Sequence, residues 1–118
     1  MEPRTRGAEE RSVLTFFFLF FMVITVSVKE AKELLSKNKE IVILDVRTAE
    51  EFEEERLPRA VNIDIHSDDF EQKIMKLDKK KRYVLHCHSG RRSALAAQFM
   101  EEKGFRKVYN VVGLVFGH

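Results

Sequence analysis

The sequence predicts an α/β domain with a mainly parallel five-stranded sheet and helices on both faces. Three observations support this fold class: short apolar runs recur along the chain, segments with helical spacing separate them, and two of those segments begin with a capping box. With 118 residues and 44% hydrophobic content, the chain is long enough for one domain around one core.

The predicted elements alternate along residues 23–118. Ser27 with Glu30, and Thr48 with Glu51, are spaced as capping boxes that open the first helix and a second, short acidic helix. Further helices are expected around residues 70–77 and from residue 92 to a stop at residue 104. Strands are expected at residues 23–26, 41–44, 60–63, 83–86 and 108–111. Strands that alternate with helices favour parallel pairing.

The first 22 residues differ in composition from the rest. Residues 1–11 are polar, and residues 12–22 form a hydrophobic segment that contains "FFFLFF". The apolar run from Val13 to Val26 is shorter than the about 20 residues of a membrane span. We expect residues 12–22 to be a membrane anchor or signal, with membrane association through residues 12–26. A membrane-associated or exported location is favoured over a cytoplasmic one. The alternative is that Val23–Val26 is the first buried strand.

The charge balance argues against a nucleic-acid partner. The net charge is only +2, from 21 basic and 19 acidic residues, and the basic run at residues 79–82 fits a turn before a strand.

The chain contains one cysteine, Cys87, in the stretch "HCHSGRR". It follows a predicted buried strand and precedes a helix, at the sheet edge where α/β proteins bind ligands. A buried core thiol, a metal ligand and a nucleophile are all conceivable. Gly90, the helix N-terminus, Arg91 and Arg92 favour the reactive thiolate. Consecutive His86, Cys87 and His88 without a second cysteine do not favour a metal site, and we predict none.

Phosphate chemistry is a second alternative, because cysteine phosphatases also hold a thiolate in an arginine-bearing loop. Their signature, H-C-x5-R, would require arginine at position 93, which is serine in this chain. Arg92 instead gives C-x4-R, a shorter loop that suits a smaller reacting centre than a phosphoryl group.

Residues 23–113 resemble the rhodanese-like domain family of single-domain sulfurtransferases. "CHSGRRS" is similar to its active-site loop C-x-x-G-x-R-[ST], and "LDVRTAEEFEEERLPRAVNID" and "GFRKVYNVVG" resemble its flanking signatures. The resemblance implies that Cys87 carries a sulfane sulfur as a persulfide, between a small anionic donor such as thiosulfate and a thiol acceptor, without a cofactor. The resemblance also implies a set of substrate-binding residues: His88, Ser89, Gly90, Arg91, Arg92 and Ser93. It implies two supporting residues, Asp45 and Arg47. Arg92 has a stronger claim than Arg91 to contact the donor.

Two departures from the family pattern carry expectations of their own. Arg59 replaces a glycine after the family's proline, so a turn that needs positive φ would be strained. The family's final C-terminal helix is missing, so Leu114, Val115 and Phe116 should be exposed or repacked. These departures favour a second hypothesis, a non-catalytic binding module. A small-anion reductase or phosphatase is the third.

Overall fold

The computed structural model describes residues 23–118, so the expectations for residues 1–22 lie outside the described part of the chain. The elements are, in chain order, β1 (Val23–Ser27), α1 (Val28–Lys37), β2 (Val42–Asp45), α2 (Ala49–Glu54), β3 (Val61–Asn62), α3 (Phe70–Met75), β4 (Arg82–His86), α4 (Arg91–Glu102) and β5 (Lys107–Val112).

The strands form one five-stranded sheet in the order β1-β5-β4-β2-β3, and every neighbouring pair is parallel. The predicted fold class is therefore confirmed. Because all strands run in one direction, their carboxyl ends meet at a single edge. That edge carries Asp45 at the end of β2 and Cys87 directly after β4.

Helices cover both faces of the sheet, as predicted. On one face, α3 and α4 contribute Phe70, Ile74, Ala96, Ala97 and Met100 to a core that also contains Leu85 and Cys87. On the other face, α1 contributes Ala31 and Leu35 to a second cluster around Ile43, Val84 and Val111. The sheet is thus buried on both sides, which explains its continuous apolar strands.

Both predicted capping boxes form. The Ser27 Oγ accepts a hydrogen bond from the Glu30 N–H (3.1 Å), and the Glu30 carboxylate accepts one from the Ser27 N–H (2.8 Å). Thr48 and Glu51 repeat this exchange at the start of α2, at 3.2 and 3.0 Å. Each box satisfies backbone donors that a helix N-terminus leaves free, which fixes where these helices begin.

The alternative interpretation of Val23–Val26 is the correct one. These residues form most of β1, an edge strand paired with β5, and they are half-buried except for the exposed Thr25. Membrane association through residues 12–26 is therefore not supported where it includes residues 23–26. Within residues 23–118, no helix is both long and apolar enough to span a bilayer.

Residues 113–118 form no helix, and their apolar side chains are partly repacked and partly exposed. Val115 is buried in the α1-side cluster, and Phe116 packs beside it. The Phe116 ring lies edge-on to His86, 5.9 Å between ring centroids, and 4.8 Å from the Arg47 guanidinium carbon. Leu114 remains 44% exposed. Residues 113–118 therefore contribute two side chains, Val115 and Phe116, to the cluster on the α1 side of the sheet.

The turn at Arg59 has the strain that the sequence predicts. The Ala60 N–H donates to the Leu57 carbonyl, which places Pro58 and Arg59 at the centre of a β-turn. Arg59 has φ 68°, and it is the one non-glycine residue with positive φ in residues 23–118. Positive φ after proline is typical of a type II turn, which normally places glycine at that position.

Arg59→Gly should stabilise the protein by about 0.5–1 kcal/mol, because a left-handed conformation is costly for a residue with a Cβ atom and not for glycine. Arg56→Gly is the matched control: Arg56 is a nearby exposed arginine without positive φ. That control should destabilise by about 0.5–1 kcal/mol. Urea unfolding of both variants measures the difference, and equal effects would contradict the strain at Arg59.

Candidate active site

Cys87 lies at the base of an open pocket of about 690 Å³ at the carboxyl edge of the sheet. The pocket lining comes from the loop after β4 and the first turns of α4: Cys87, His88, Ser89, Arg91, Arg92, Ala94 and Leu95. Cys87 as a whole is only 2% exposed and belongs to the core cluster under α4. The residue is therefore part of the core, and it also contributes to the pocket surface.

Three hydrogen-bond donors converge on the Cys87 Sγ. They are the backbone N–H of Gly90 at 3.1 Å and the backbone N–H and side-chain hydroxyl of Ser93, each at 3.4 Å. Ser93 is fully buried, so its hydroxyl is held against the sulfur rather than against water. This set of donors suits a negatively charged sulfur better than a neutral thiol.

The pKa of the Cys87 thiol is lowered from its ordinary value. Burial is the largest single influence and acts in the opposite direction, because it disfavours the charged form. Hydrogen bonds from the Ser93 hydroxyl and from the backbone N–H groups of Ser93, Gly90 and Ser89 together outweigh burial. The direction of this shift agrees with the predicted thiolate character, and the hydrogen bonds from the loop and from Ser93 are its main cause.

Gly90 allows the loop to turn back onto the sulfur. Its φ of 115° is in the left-handed range, and it is the N-cap of α4. A Cβ atom at this position would lie 2.9 Å from the Val111 carbonyl oxygen, closer than such atoms normally approach. Two hydrogen bonds connect the loop to β5 and the residue that follows it. The Asn110 amide donates to the Gly90 carbonyl (3.2 Å), and the Gly113 N–H donates to the Ser89 carbonyl (3.0 Å).

The two loop arginines differ in their surroundings. Arg92 forms a bidentate ion pair with Glu51 on α2, with Nη1–Oε1 and Nη2–Oε2 distances of 2.8 and 3.1 Å. Arg91 is exposed, and the structure gives it no ion pair within residues 23–118. Both arginines line the pocket, and the sequence did not identify the partner of Arg92. Glu51 lies in the quoted upstream signature, which was the available signal.

Asp45 and Arg47 are brought together but do not line the pocket. The Arg47 guanidinium binds the fully buried Asp45 carboxylate, with an Nη2–Oδ2 distance of 2.7 Å, and also donates to the Glu55 carbonyl at the end of α2. Asn62 joins the same region by donating to the carbonyls of Asp45 and Arg47. This pair holds the loop between β2 and α2 in place, so its contacts are structural.

The two histidines beside Cys87 point to different surroundings. His86 is fully buried on the α1 side, and burial lowers its pKa, so the neutral imidazole is favoured. Its Nε2 lies 3.6 Å from the Asp45 carboxylate and has no hydrogen-bond partner within residues 23–118. His88 is exposed, and its Nε2 contacts the His118 backbone carbonyl at 3.2 Å. No group of three metal-ligating side chains occurs in the described part of the chain.

Comparison with known proteins gives one consistent family. The rhodanese-like domain model matches residues 27–114. A putative sulfurtransferase of Bacillus subtilis is 39% identical over 88 residues, which are 75% of this chain and 82% of that protein. A thiosulfate sulfurtransferase of Coxiella burnetii is 36% identical over 84 residues, which cover 71% and 76% of the two chains. This chain spans about half (46%) of the length of a putative sulfur carrier protein of Bacillus subtilis, at 37% identity over 87 residues.

Solved structures of rhodanese-like proteins share the fold of this chain. A crystal structure of a rhodanese-like domain protein from Staphylococcus aureus superposes with a TM-score of 0.69 at 29% sequence identity. The superposition covers 80% of this chain and 89% of the other.

Gly90→Ala tests the close approach of the loop to β5. Gly104→Ala is the matched control, because Gly104 also has positive φ (91°) but no atom within 4 Å of an added Cβ. The control should cost about 1–2 kcal/mol of stability through backbone strain alone. Gly90→Ala should cost at least about 1 kcal/mol more, because of the clash with Val111. Equal unfolding free energies for the two variants would show that the loop does not pack against β5 in this way.

Ser93→Ala tests the hydroxyl contact with the sulfur. Loss of one hydrogen bond of about 1 kcal/mol should raise the thiol pKa, since the bond favours the thiolate. The thiolate fraction near neutral pH should fall accordingly, as the pH dependence of iodoacetamide alkylation would record. Ser89→Ala is the control: its side chain makes no hydrogen bond within residues 23–118, and its backbone N–H is retained. An unchanged profile in Ser93→Ala would contradict the proposed contact.

Proposed function

The chain belongs to the rhodanese-like domain family, and we propose that it transfers sulfane sulfur from thiosulfate or a persulfide donor to a thiol acceptor through a Cys87 persulfide. Its sulfurtransferase-named relatives support a rhodanese-type role. The observation that carries the finer proposal is the convergence of the Gly90 and Ser93 donors on the Cys87 Sγ at the base of an open pocket.

In the first half-reaction, the Cys87 thiolate attacks the sulfane sulfur of thiosulfate. A new S–S bond forms to Cys87, the original S–S bond breaks, and sulfite leaves with its electron pair. The thiolate is the nucleophile in exchange at sulfur, so a lowered thiol pKa increases the reactive fraction near neutral pH. No external oxidant is required, because the sulfane sulfur arrives already at the persulfide level.

In the second half-reaction, an acceptor thiolate attacks the outer sulfur of the Cys87 persulfide. The acceptor leaves as a persulfide, and the Cys87 thiolate is regenerated. The donors that held the original thiolate are available again to stabilise this leaving group: the Gly90 N–H and the Ser93 N–H and hydroxyl.

The pocket composition fits a small anionic donor. The loop and the first turns of α4 line the pocket, including Arg91 and Arg92, and a helix N-terminus favours anions. Leu95, which is 63% exposed at the rim, adds an apolar contact that a thiol acceptor could use.

The phosphatase alternative loses support at position 93. Ser93 is buried with its hydroxyl on the Cys87 Sγ, where the phosphatase loop would require an arginine.

The binding-module alternative rested on the altered turn and the missing helix. The turn closes with Arg59 in it, and the loop donors to the Cys87 Sγ are in place, so neither departure removes a contact to the sulfur.

Incubation with thiosulfate followed by intact-mass measurement tests the proposal. The protein should gain one sulfur atom, located on the peptide that contains Cys87, and should lose it on addition of cyanide or a thiol. Cys87→Ser should gain none, because the hydroxyl is a far weaker nucleophile, while its circular dichroism spectrum stays unchanged. If the wild-type mass remains unchanged with both thiosulfate and a small-molecule persulfide, Cys87 is not a sulfur carrier.

A further inference from the structure

Glu51 is the one carboxylate that contacts a charged residue of the Cys87 pocket within residues 23–118. It does not line the pocket itself. Its two oxygens bind the two terminal nitrogens of the Arg92 guanidinium, so the fork that could grip an anion is already occupied by a carboxylate.

The position of Glu51 is fixed independently of Arg92. Its Oε1 also accepts hydrogen bonds from the Thr48 N–H (3.0 Å) and the Thr48 hydroxyl (3.1 Å), which are part of the capping box of α2. The carboxylate therefore belongs to the start of a helix and cannot follow Arg92 if that side chain swings toward a ligand. Arg92 must either leave Glu51 or offer a donor only from the rest of its guanidinium group.

The resulting charge balance differs from the one that the sequence suggests. Arg91 and Arg92 bring two positive charges to the pocket, and the Glu51 carboxylate and the Cys87 thiolate bring two negative charges. The hydrogen bond from Arg92 is the main cause that lowers the pKa of Glu51 to about 2, so this carboxylate stays charged at any pH at which the enzyme would work. The pocket with a thiolate is therefore close to neutral.

We propose that Glu51 determines donor specificity by neutralising Arg92, which lowers the reactivity of Cys87 toward dianionic donors relative to uncharged ones. A dianion interacts twice as strongly as a monoanion with the charge that Glu51 cancels, and an uncharged donor hardly interacts with it. This inference rests on the proposed function for the identity of the natural donors. The electrostatic effect itself is measurable on the thiol alone.

The test compares alkylation of Cys87 by iodoacetate, which is anionic, with alkylation by iodoacetamide, which is neutral and of similar size. The variant is Glu51→Gln, which keeps a capping-box acceptor and removes the charge. Glu30→Gln is the matched control. Glu30 occupies the same capping-box position on α1, but it forms no ion pair with any residue from 23 to 118. Taking the ratio of the two rate constants cancels any change in the thiolate fraction.

The iodoacetate-to-iodoacetamide ratio should rise about two- to tenfold in Glu51→Gln, as expected for the loss of one partly exposed charge, and stay unchanged in Glu30→Gln. The gain should shrink at high ionic strength. An unchanged or lower ratio in Glu51→Gln would overturn the inference and would indicate that Glu51 only holds Arg92 in place.

Sulfur loading separates this inference from the proposed function. In Glu51→Gln, kcat/KM for thiosulfate, a dianion, should rise relative to kcat/KM for benzenethiosulfonate, a monoanion. Attack of the Cys87 thiolate on the outer sulfur of the thiosulfonate also forms the Cys87 persulfide, and benzenesulfinate leaves with the electron pair of the broken S–S bond. If the alkylation ratio rises but no variant accepts sulfur, the proposed function fails while the charge effect of Glu51 stands. If sulfur is transferred with an unchanged donor preference, Glu51 does not set the specificity.

Discussion

The hydrogen bonds that converge on the Cys87 Sγ are the constraint around which this domain is arranged. These bonds form because β4 ends at His86 and the chain reverses at Gly90 with positive φ. Helix α4 then begins at Arg91, which places Ser93 against the sulfur. The same bonds also require β5 to lie directly under the loop, because Asn110 and Gly113 hold the Gly90 and Ser89 carbonyls. A thiol in a core would otherwise be neutral and inert; these donors offset the cost of burial.

A buried ion pair stabilises the neighbouring loop at the same edge of the sheet. Asp45 ends β2, and its carboxylate is fully buried against Arg47, which in turn holds the end of α2 through the Glu55 carbonyl. Because the start of α2 carries Glu51, this arrangement also fixes the carboxylate that pairs with Arg92. A buried charge without a partner is costly, so the pair acts as a unit, and removing either member should disturb α2 as well as the loop.

The sequence was most informative where the determining interactions are local. Each capping box links residues three positions apart, and the two boxes predicted two helix starts correctly. The left-handed turn at Arg59 was expected because Arg59 stands where the resembled family has glycine. Glu51 was missed because its partner lies 41 positions away on another helix. Cys87 shows a different limit. The core thiol and the nucleophile appeared as alternatives in the sequence, but in the structure the same residue is buried in the core, lines the pocket and accepts hydrogen bonds at its sulfur.

Hydrogen bonds from the loop should lower the pKa of the Cys87 thiol despite its burial, and ultraviolet titration of the thiolate absorbance tests this central claim most directly. Because Cys87 is the only cysteine in the chain, a Cys87→Ser variant provides the complete background. The account predicts a midpoint clearly below about 8.5, the ordinary value for a free cysteine. A midpoint at or above that value would mean that burial outweighs the donors from Gly90 and Ser93, and the account of the site would be wrong.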